Sequence, residues 1–314
     1  METATQQKEP SPSPKSKSLV GERRIRLSDL FFDNIIKLLG YTSIVFVILI
    51  FVFLMKESLP LFKTYPLKKL LLGTSWYPTM DPPEFGLAPL ILGSLLVTAG
   101  AVVIALPLGI GAAVYISEIA PSSIKDVLKS VVELLAAIPS VVMGFIGMIV
   151  LAPWIKEIFD LPTGLTALAG SITLAFMAVP TVTSIAEDAL TAVPTGYRTG
   201  SLALGATKWQ TISRIVVPAA RSGIIAASML GVGRAIGETM TVLMVTGNAA
   251  LIPKSFLQPV RTMTATIAAE MGETVQGGDH YQALFVIGLL LFIIAFIINL
   301  VADLSLQKVR GQKG

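Results

Sequence analysis

Residues 283–304 read ALFVIGLLLFIIAFIINLVADL, an apolar run whose one ionisable side chain is Asp303. At about 1.5 Å per residue such a helix rises about 33 Å, enough to cross a hydrocarbon core of about 30 Å. Working outward from this segment, similar runs cover residues 35–55, 90–116, 127–154, 165–185 and 216–245, so six spans are expected. Pro107, Pro139 and Pro180 lie inside three of them, which predicts kinks or breaks rather than straight rods. Tyr65, Trp76, Tyr77 and Tyr281 stand near the ends of two long connections, 56–87 and 247–282, where aromatic rings sit at headgroup level.

The composition agrees. Of 314 residues, 53% are hydrophobic and 14% charged, against about 25% charged in soluble proteins. That excludes a soluble globular chain and a disordered one, and leaves an all-α polytopic membrane protein. The absence of cysteine excludes disulfides, thiolate metal sites and cysteine nucleophiles. The single histidine, His280, beside Asp279 in a Gly-rich connection, is weak evidence for a metal site, and none is expected. A net charge of +4 does not argue for nucleic acid here, because in lipid the placement of each charge matters more than the sum.

That placement gives the orientation. Sixteen basic residues fall on one side: Lys8, Lys15, Lys17, Arg23, Arg24, Arg26, Lys37, Lys125, Lys129, Arg198, Lys208, Arg214, Arg221, Lys308, Arg310 and Lys313. Seven fall on the other, so both termini are expected in the cytoplasm of a cell-membrane protein. The expected organisation is a disordered tail over 1–30, a first span over 31–56, an extracytoplasmic loop over 57–87, a five-span core over 88–305 and a tail over 306–314. In the outer connection, Arg261 to Met271 is expected as a short surface helix.

The remaining basic residue, Arg234, lies within a span in Gly231-Val-Gly-Arg-Ala-Ile-Gly-Glu-Thr-Met240. Four residues on, Glu238 would share its helix face, and Gly231, Gly233 and Gly237 would let other helices approach. Two readings stay open on these residues: a structural ion pair between helices, or a polar path. In a path, the planar guanidinium suits a tetrahedral oxyanion. An ionised Glu238 only accepts hydrogen bonds, so it would favour an anion still carrying a proton, such as hydrogen phosphate, over sulfate. Glu133, Glu187 and Asp188, close to span ends, are expected at the interface.

The connection 192–218 is too long for a turn. Thr207 and Gln210 form a capping-box pattern, and Gly205 would end a short helix over 195–204. Tyr197, Leu202 and Leu204 would then be presented to a partner or laid on lipid.

The spacing of Thr199-Gly-Ser-Leu-Ala-Leu-Gly205, nine residues, then Ile215-Val-Val-Pro218, resembles the cytoplasmic signature of the binding-protein-dependent, type I ABC importer permeases. Gly205, Ile215 and Pro218 match; Thr199, Gly200 and Ser201 stand where the family has Glu-Ala-Ala, and Val217 where it has Leu. More narrowly, Gly233-Arg-Ala-Ile-Gly-Glu-Thr239 and Ile138-Pro-Ser-Val-Val-Met-Gly144 are similar to segments of phosphate permeases. This resemblance, over about 88 to 305, implies a translocation subunit that is not itself an enzyme. It implies partners: a second permease subunit, two ATPase subunits that bind ATP and Mg, and an extracytoplasmic phosphate-binding protein. The helix over 195–204 would be the coupling helix, and Arg234 and Glu238 would line the phosphate pathway. Alternatives are the same architecture for sulfate or molybdate, and a proton-coupled secondary transporter using Glu238. No GxxxxGK[ST] phosphate loop is present.

Overall fold

The computed structural model describes residues 27–311, and the side chains of residues 34–304. Most of the expected N-terminal tail and the end of the C-terminal one, with their basic side chains, lie outside the described residues. The chain divides into two compact units, Met1–Ile50 and Phe51–Gly314. The described part of the first is the beginning of helix α1, Leu27–Thr64. Its apolar side chains, Ile36, Leu39, Ile44, Phe46 and Ile48 among them, are exposed, as suits a lipid-facing helix.

α1 runs to Thr64, so the expected loop over 57–87 begins later than its sequence suggested. Pro60 sits inside the helix without ending it. Short α2 follows, Leu67–Leu72, then a two-stranded antiparallel ribbon, β1 (Trp76–Tyr77) and β2 (Glu84–Phe85), with Trp76 opposite Phe85. Leu61, Leu70, Trp76, Phe85, Leu87, Leu284 and Ile287 close into one core, so this connection is a packed cap.

The centre of the second unit is the pair α3 (Ala88–Ile119) and α6 (Ala167–Thr191). Small residues let the two backbones meet. A Cβ on Gly109 would lie 2.8 Å from Val182 Cγ1, Ser171 Oγ donates to Val97 O at 3.2 Å, and Thr183 Oγ1 donates to Gly109 O at 3.2 Å. Pro107 and Pro180 are accommodated within these helices.

Pro139 does break the chain. The run expected as one span over 127–154 is two helices, α4 (Ser122–Ala136) and α5 (Ser140–Ile158), and only the second is long and apolar enough to cross a membrane. Proline disfavours helical geometry at Ile138 and cannot donate to the preceding turn, while α4 carries Lys125, Asp126, Lys129 and Glu133.

The run expected over 216–245 is also interrupted. After α7 (Thr195–Ala203) come α8 (Lys208–Ala219) and α9 (Arg221–Gly237), bent by 71° against each other, and then α10 (Met240–Val245). The bend follows Pro218, which lacks the N–H that would continue the ladder. Gly205 ends the α7 region at φ +83°, and Thr207 with Gln210 forms the capping box that opens α8.

Helix α11, Met263–Glu270, replaces the surface helix expected over 261–271. It is an inward one, because Met263, Ala265 and Thr266 are fully buried and Ser94 Oγ accepts from Met263 N at 2.8 Å. α12, Asp279–Gly311, closes the fold. Among the described residues, five helices, or six counting the bent pair, are long and apolar enough to span a membrane.

Overpacking predicts a matched pair of outcomes. Gly109→Ala should lower the thermal midpoint of the purified chain in detergent, by the equivalent of about 1–3 kcal/mol. Gly111→Ala, whose Cβ meets nothing within 4 Å, should leave it unchanged or raise it by about 0.5–1 kcal/mol. Equal losses at both would refute close α3–α6 contact at Gly109.

Candidate functional site

Arg234 lies in the last turn of α9, half-buried, between the fully packed face of Ala235 and Ile236 and a more open side. Its Nη1 donates to Thr181 Oγ1 of α6 at 2.8 Å. Thr181 follows Pro180, so the arginine reaches α6 where that helix lacks one backbone donor.

Glu238 does not share a helix face with Arg234. α9 ends at Gly237, and Glu238 is extended, with φ −68° and ψ 134°. Its Oε1 accepts from Thr241 N at 3.3 Å, supplying a cap for α10, and its backbone O accepts from Thr264 Oγ1 of α11 at 2.8 Å. An ion pair, one of the two readings left open by the sequence, is not formed: among the described residues no salt bridge includes Arg234 or Glu238. Gly237, directly before Glu238, weakens the helix at this point, and the capping contacts stabilise its interruption.

The two breaks meet. Thr241 Oγ1, at the start of α10, donates to Ser140 O, at the start of α5, at 2.9 Å, and packs on Met177 Sδ at 3.0 Å. Non-helical backbone at membrane depth is tolerated only where it is buried in protein or lines an aqueous cavity. The site therefore combines interrupted backbone, a cluster of hydroxyls and one guanidinium whose side-chain partner among the described residues is a neutral hydroxyl.

The three glycines differ. A Cβ on Gly231 would come 2.5 Å from Val182 Cγ2, so Gly231 allows α9 to pack on α6. Gly233 and Gly237 meet nothing within 4 Å.

In the 192–218 connection, Tyr197, Leu202 and Leu204 are exposed, Leu204 at 91%. Thr199 Oγ1 bonds back to Thr195 O and Gly196 O of its own helix. Gly205 and Pro218 are exposed and Ile215 is half-buried. Glu187 is buried at 2% exposure and is held by Lys129 Nζ at 2.8 Å, Lys125 Nζ at 3.4 Å and Thr191 Oγ1 at 2.7 Å. Lys129 also reaches Asp188 at 2.7 Å, and these two carboxylates push its ammonium pKa above the ordinary lysine range. Glu133 is exposed on α4.

Three arrangements went unread in the sequence. Thr181 is one. Arg198 on Glu118 is the second. The third is Glu270, which receives Arg261 Nη1, His280 Nε2 at 2.9 Å and Trp76 Nε1 at 3.1 Å, so His280 serves a carboxylate hub. Each brings together residues from separate elements, so local spacing does not reveal the partner.

Residues 105–311 match the model of the family described as binding-protein-dependent transport system inner membrane component. The chain belongs to this family. It is 44% identical over 239 residues to a probable ABC transporter permease protein, YqgH, of Bacillus subtilis, covering 76% of this chain and 77% of the relative. It is 36% identical over 264 residues to the phosphate transport system permease protein PstC of Mesorhizobium japonicum, covering 78% and 80%. Its fold is similar to that of a bacterial alginate ABC transporter crystallised with an alginate-bound periplasmic protein, with TM-score 0.62 at 16% identity over 91% and 98% of the chains. An inward-facing MetNI methionine ABC transporter gives TM-score 0.55 at 19% identity over 69% and 93%. The chain is thus an ABC importer permease subunit with the type I fold in a multi-pass inner-membrane protein. It is not itself catalytic: ATP hydrolysis belongs to ATPase partners.

Breaking the Lys129 contacts gives a stability prediction. Lys129→Met should lower thermal stability by about 2 kcal/mol, below the usual cost of stranding a buried charge because Lys125 remains nearby and Lys129 is partly in solvent. Adding Glu187→Gln should recover more than half of the loss in a double-mutant cycle, and additive losses would remove the pairing argument.

Proposed function

We propose that this chain is the PstC-type translocation subunit of an ATP-driven inorganic phosphate importer. The observation that carries the reading is Arg234: a cation in the last turn before a helix break, with a neutral hydroxyl and, among the described residues, no carboxylate as its partner. Such a charge is costly in a membrane unless an anion or an aqueous path meets it, and its fork matches a tetrahedral oxyanion. The PstC relatives, 30–36% identical over most of the chain, support phosphate as that anion.

In this reading Arg234 and Glu238 line the pathway at the end of α9, with Gly231, Gly233 and Gly237 keeping the wall narrow. Arg234 binds phosphate oxygen, while Glu238, accepting only, selects the species that still carries a proton. Gly233 and Gly237, open within this chain, face the path or the second permease subunit. The transport core is residues 88–305, and α1 is added to it.

α7 is the coupling helix. Tyr197, Leu202 and Leu204 seat in a groove of the ATPase, while Thr199, Gly205, Ile215 and Pro218 shape the signature around them. The partners are a PstA-like permease subunit, two PstB-like ATPase subunits carrying ATP and Mg, and a PstS-like extracytoplasmic binding protein. With both termini in the cytoplasm, ATP-driven closure of the ATPases brings the two coupling helices together and switches the path between inward and outward openings.

Labelled phosphate uptake into proteoliposomes holding the full complex tests this. Arg234→Gln should cut ATP-dependent uptake about tenfold to a hundredfold, the loss of a charge-assisted hydrogen-bonded contact, with assembly intact. Normal transport by the variant would make Arg234 structural. Glu238→Gln should narrow the preference for phosphate over sulfate. Uptake that proceeds without ATP would instead favour the proton-coupled reading of Glu238, and preferred uptake of sulfate or molybdate would reassign the substrate.

A further inference from the structure

Arg198 is the only charged residue of α7, TGYRTGSLA, and its guanidinium turns away from the exposed face of that helix. Nε donates to both oxygens of Glu118, each at 3.2 Å, and Nη2 donates to Glu118 Oε1 at 2.6 Å. Nη2 also donates to Leu190 O at 2.8 Å, and Nη1 to Val193 O. Glu118 lies in the last turn of α3, where the ladder loosens into a π turn at Tyr115–Ile119. Leu190 lies in the last turn of α6, and Val193 just past it. One planar side chain therefore joins α7 to the ends of both central helices, using all three nitrogens.

The junction is enclosed. The Glu118 side chain is 8% exposed and that of Arg198 22%. Charge-assisted, forked hydrogen bonds in such surroundings hold geometry better than a solvated pair does. The covalent links from α7 are weaker guides. On one side residues 192–194 lead in, and on the other Gly205 turns at φ +83° with nothing within 4 Å of its Cβ position. Beyond them, Ser201 and Thr211 share one hydroxyl contact at 3.0 Å.

A path continues inward from α3 and α6. Val182, one residue after Thr181, packs on Gly109 of α3 and on Gly231 of α9. The helix bearing Arg234 thus rests on the same pair of helices to which Arg198 is bolted.

We propose that Arg198 and Glu118 are positioning residues that make α7 one rigid body with the ends of α3 and α6, so that displacement of α7 by an ATPase moves those helices directly. The inference rests on α7 being the coupling helix, and it goes beyond the assignment of the helix face that the ATPase grips. In this chain the charge of α7 acts inward, since Thr199, where the family has glutamate, bonds to its own backbone.

The chain has no cysteine, so spin labels attach only at cysteines introduced into it once it is assembled with cysteine-free versions of its partner subunits in the complete complex. Gly111→Cys on α3 and Gly196→Cys on α7 fit, since a Cβ at either meets nothing within 4 Å. Distance distributions are then recorded without nucleotide and with ATP trapped. In the otherwise wild-type complex the distribution should be narrow and the same in both states. In Arg198→Gln and Glu118→Gln it should broaden and shift with ATP. Arg198→Lys keeps the charge without the fork and should also broaden, which covers the case in which a glutamine variant does not assemble. A wild-type distance that changes with ATP, or variants as narrow as wild type, would overturn the proposal.

Phosphate moved per ATP hydrolysed is the second readout and should fall about tenfold in Arg198→Gln while hydrolysis continues, within the usual range of coupling energies. An unchanged ratio counts against the junction. If the wild-type complex takes up no phosphate, the substrate reading fails, and the distance measurement still decides the junction.

Discussion

In hydrocarbon no water satisfies a freed peptide group, so wherever a spanning helix is interrupted the protein must supply its own partners. Much of this structure follows from that constraint. Two interruptions, at Pro139 and at Gly237 to Thr239, are brought side by side, where Thr241 bonds to Ser140 O, Glu238 caps α10 and Thr264 bonds to Glu238 O. Breaks that would be costly alone become tolerable together. Arg234 stands in the last turn before the second of these interruptions, where its guanidinium donates to Thr181.

The bundle around this point is held by close approach rather than by bulk. Lipid tails are as apolar as leucine, so helices associate where small residues allow extended van der Waals contact and polar atoms find partners. Val182 is central because it touches Gly109 on one helix and Gly231 on another. Ser171 and Thr183 add hydroxyl bonds to neighbouring carbonyls, satisfying themselves without an unpaired donor. The remaining apolar surface, such as Val103, Phe176 and Phe296, faces outward, as expected for a subunit in contact with lipid and other chains.

Among the described residues, carboxylates with little exposure are gathered into organised junctions. Glu187 with Lys129 and Lys125 ties α4 to α6, Glu118 with Arg198 ties α7 to α3, and Glu270 gathers Arg261, His280 and Trp76 around the end of α11. In each case a carboxylate with little exposure is met by more than one donor, which is the condition under which burying it is not ruinous. Arg234 departs from the pattern, having a hydroxyl in place of a carboxylate, and that departure gives it a functional reading.

The sequence by itself determined the polytopic all-α class, most of the spans, the capping box at Thr207, the glycine turn at 205 and the signature leading to Pro218. These depend on local chemistry: run length, a side-chain oxygen three residues from an amide, a positive φ, a missing N–H. Only the tertiary structure decided that Pro139 severs a helix while Pro107 and Pro180 do not, because the difference depends on what neighbouring helices supply. It also decided that Glu238 leaves the helix of Arg234. A spacing of four places two residues on one face only while the ladder continues, and whether it continues past Gly237 depends on Thr241 and on Thr264, which is twenty-six residues away. The Arg198–Glu118 junction spans eighty residues of chain, and no periodicity in one helix encodes a partner on another.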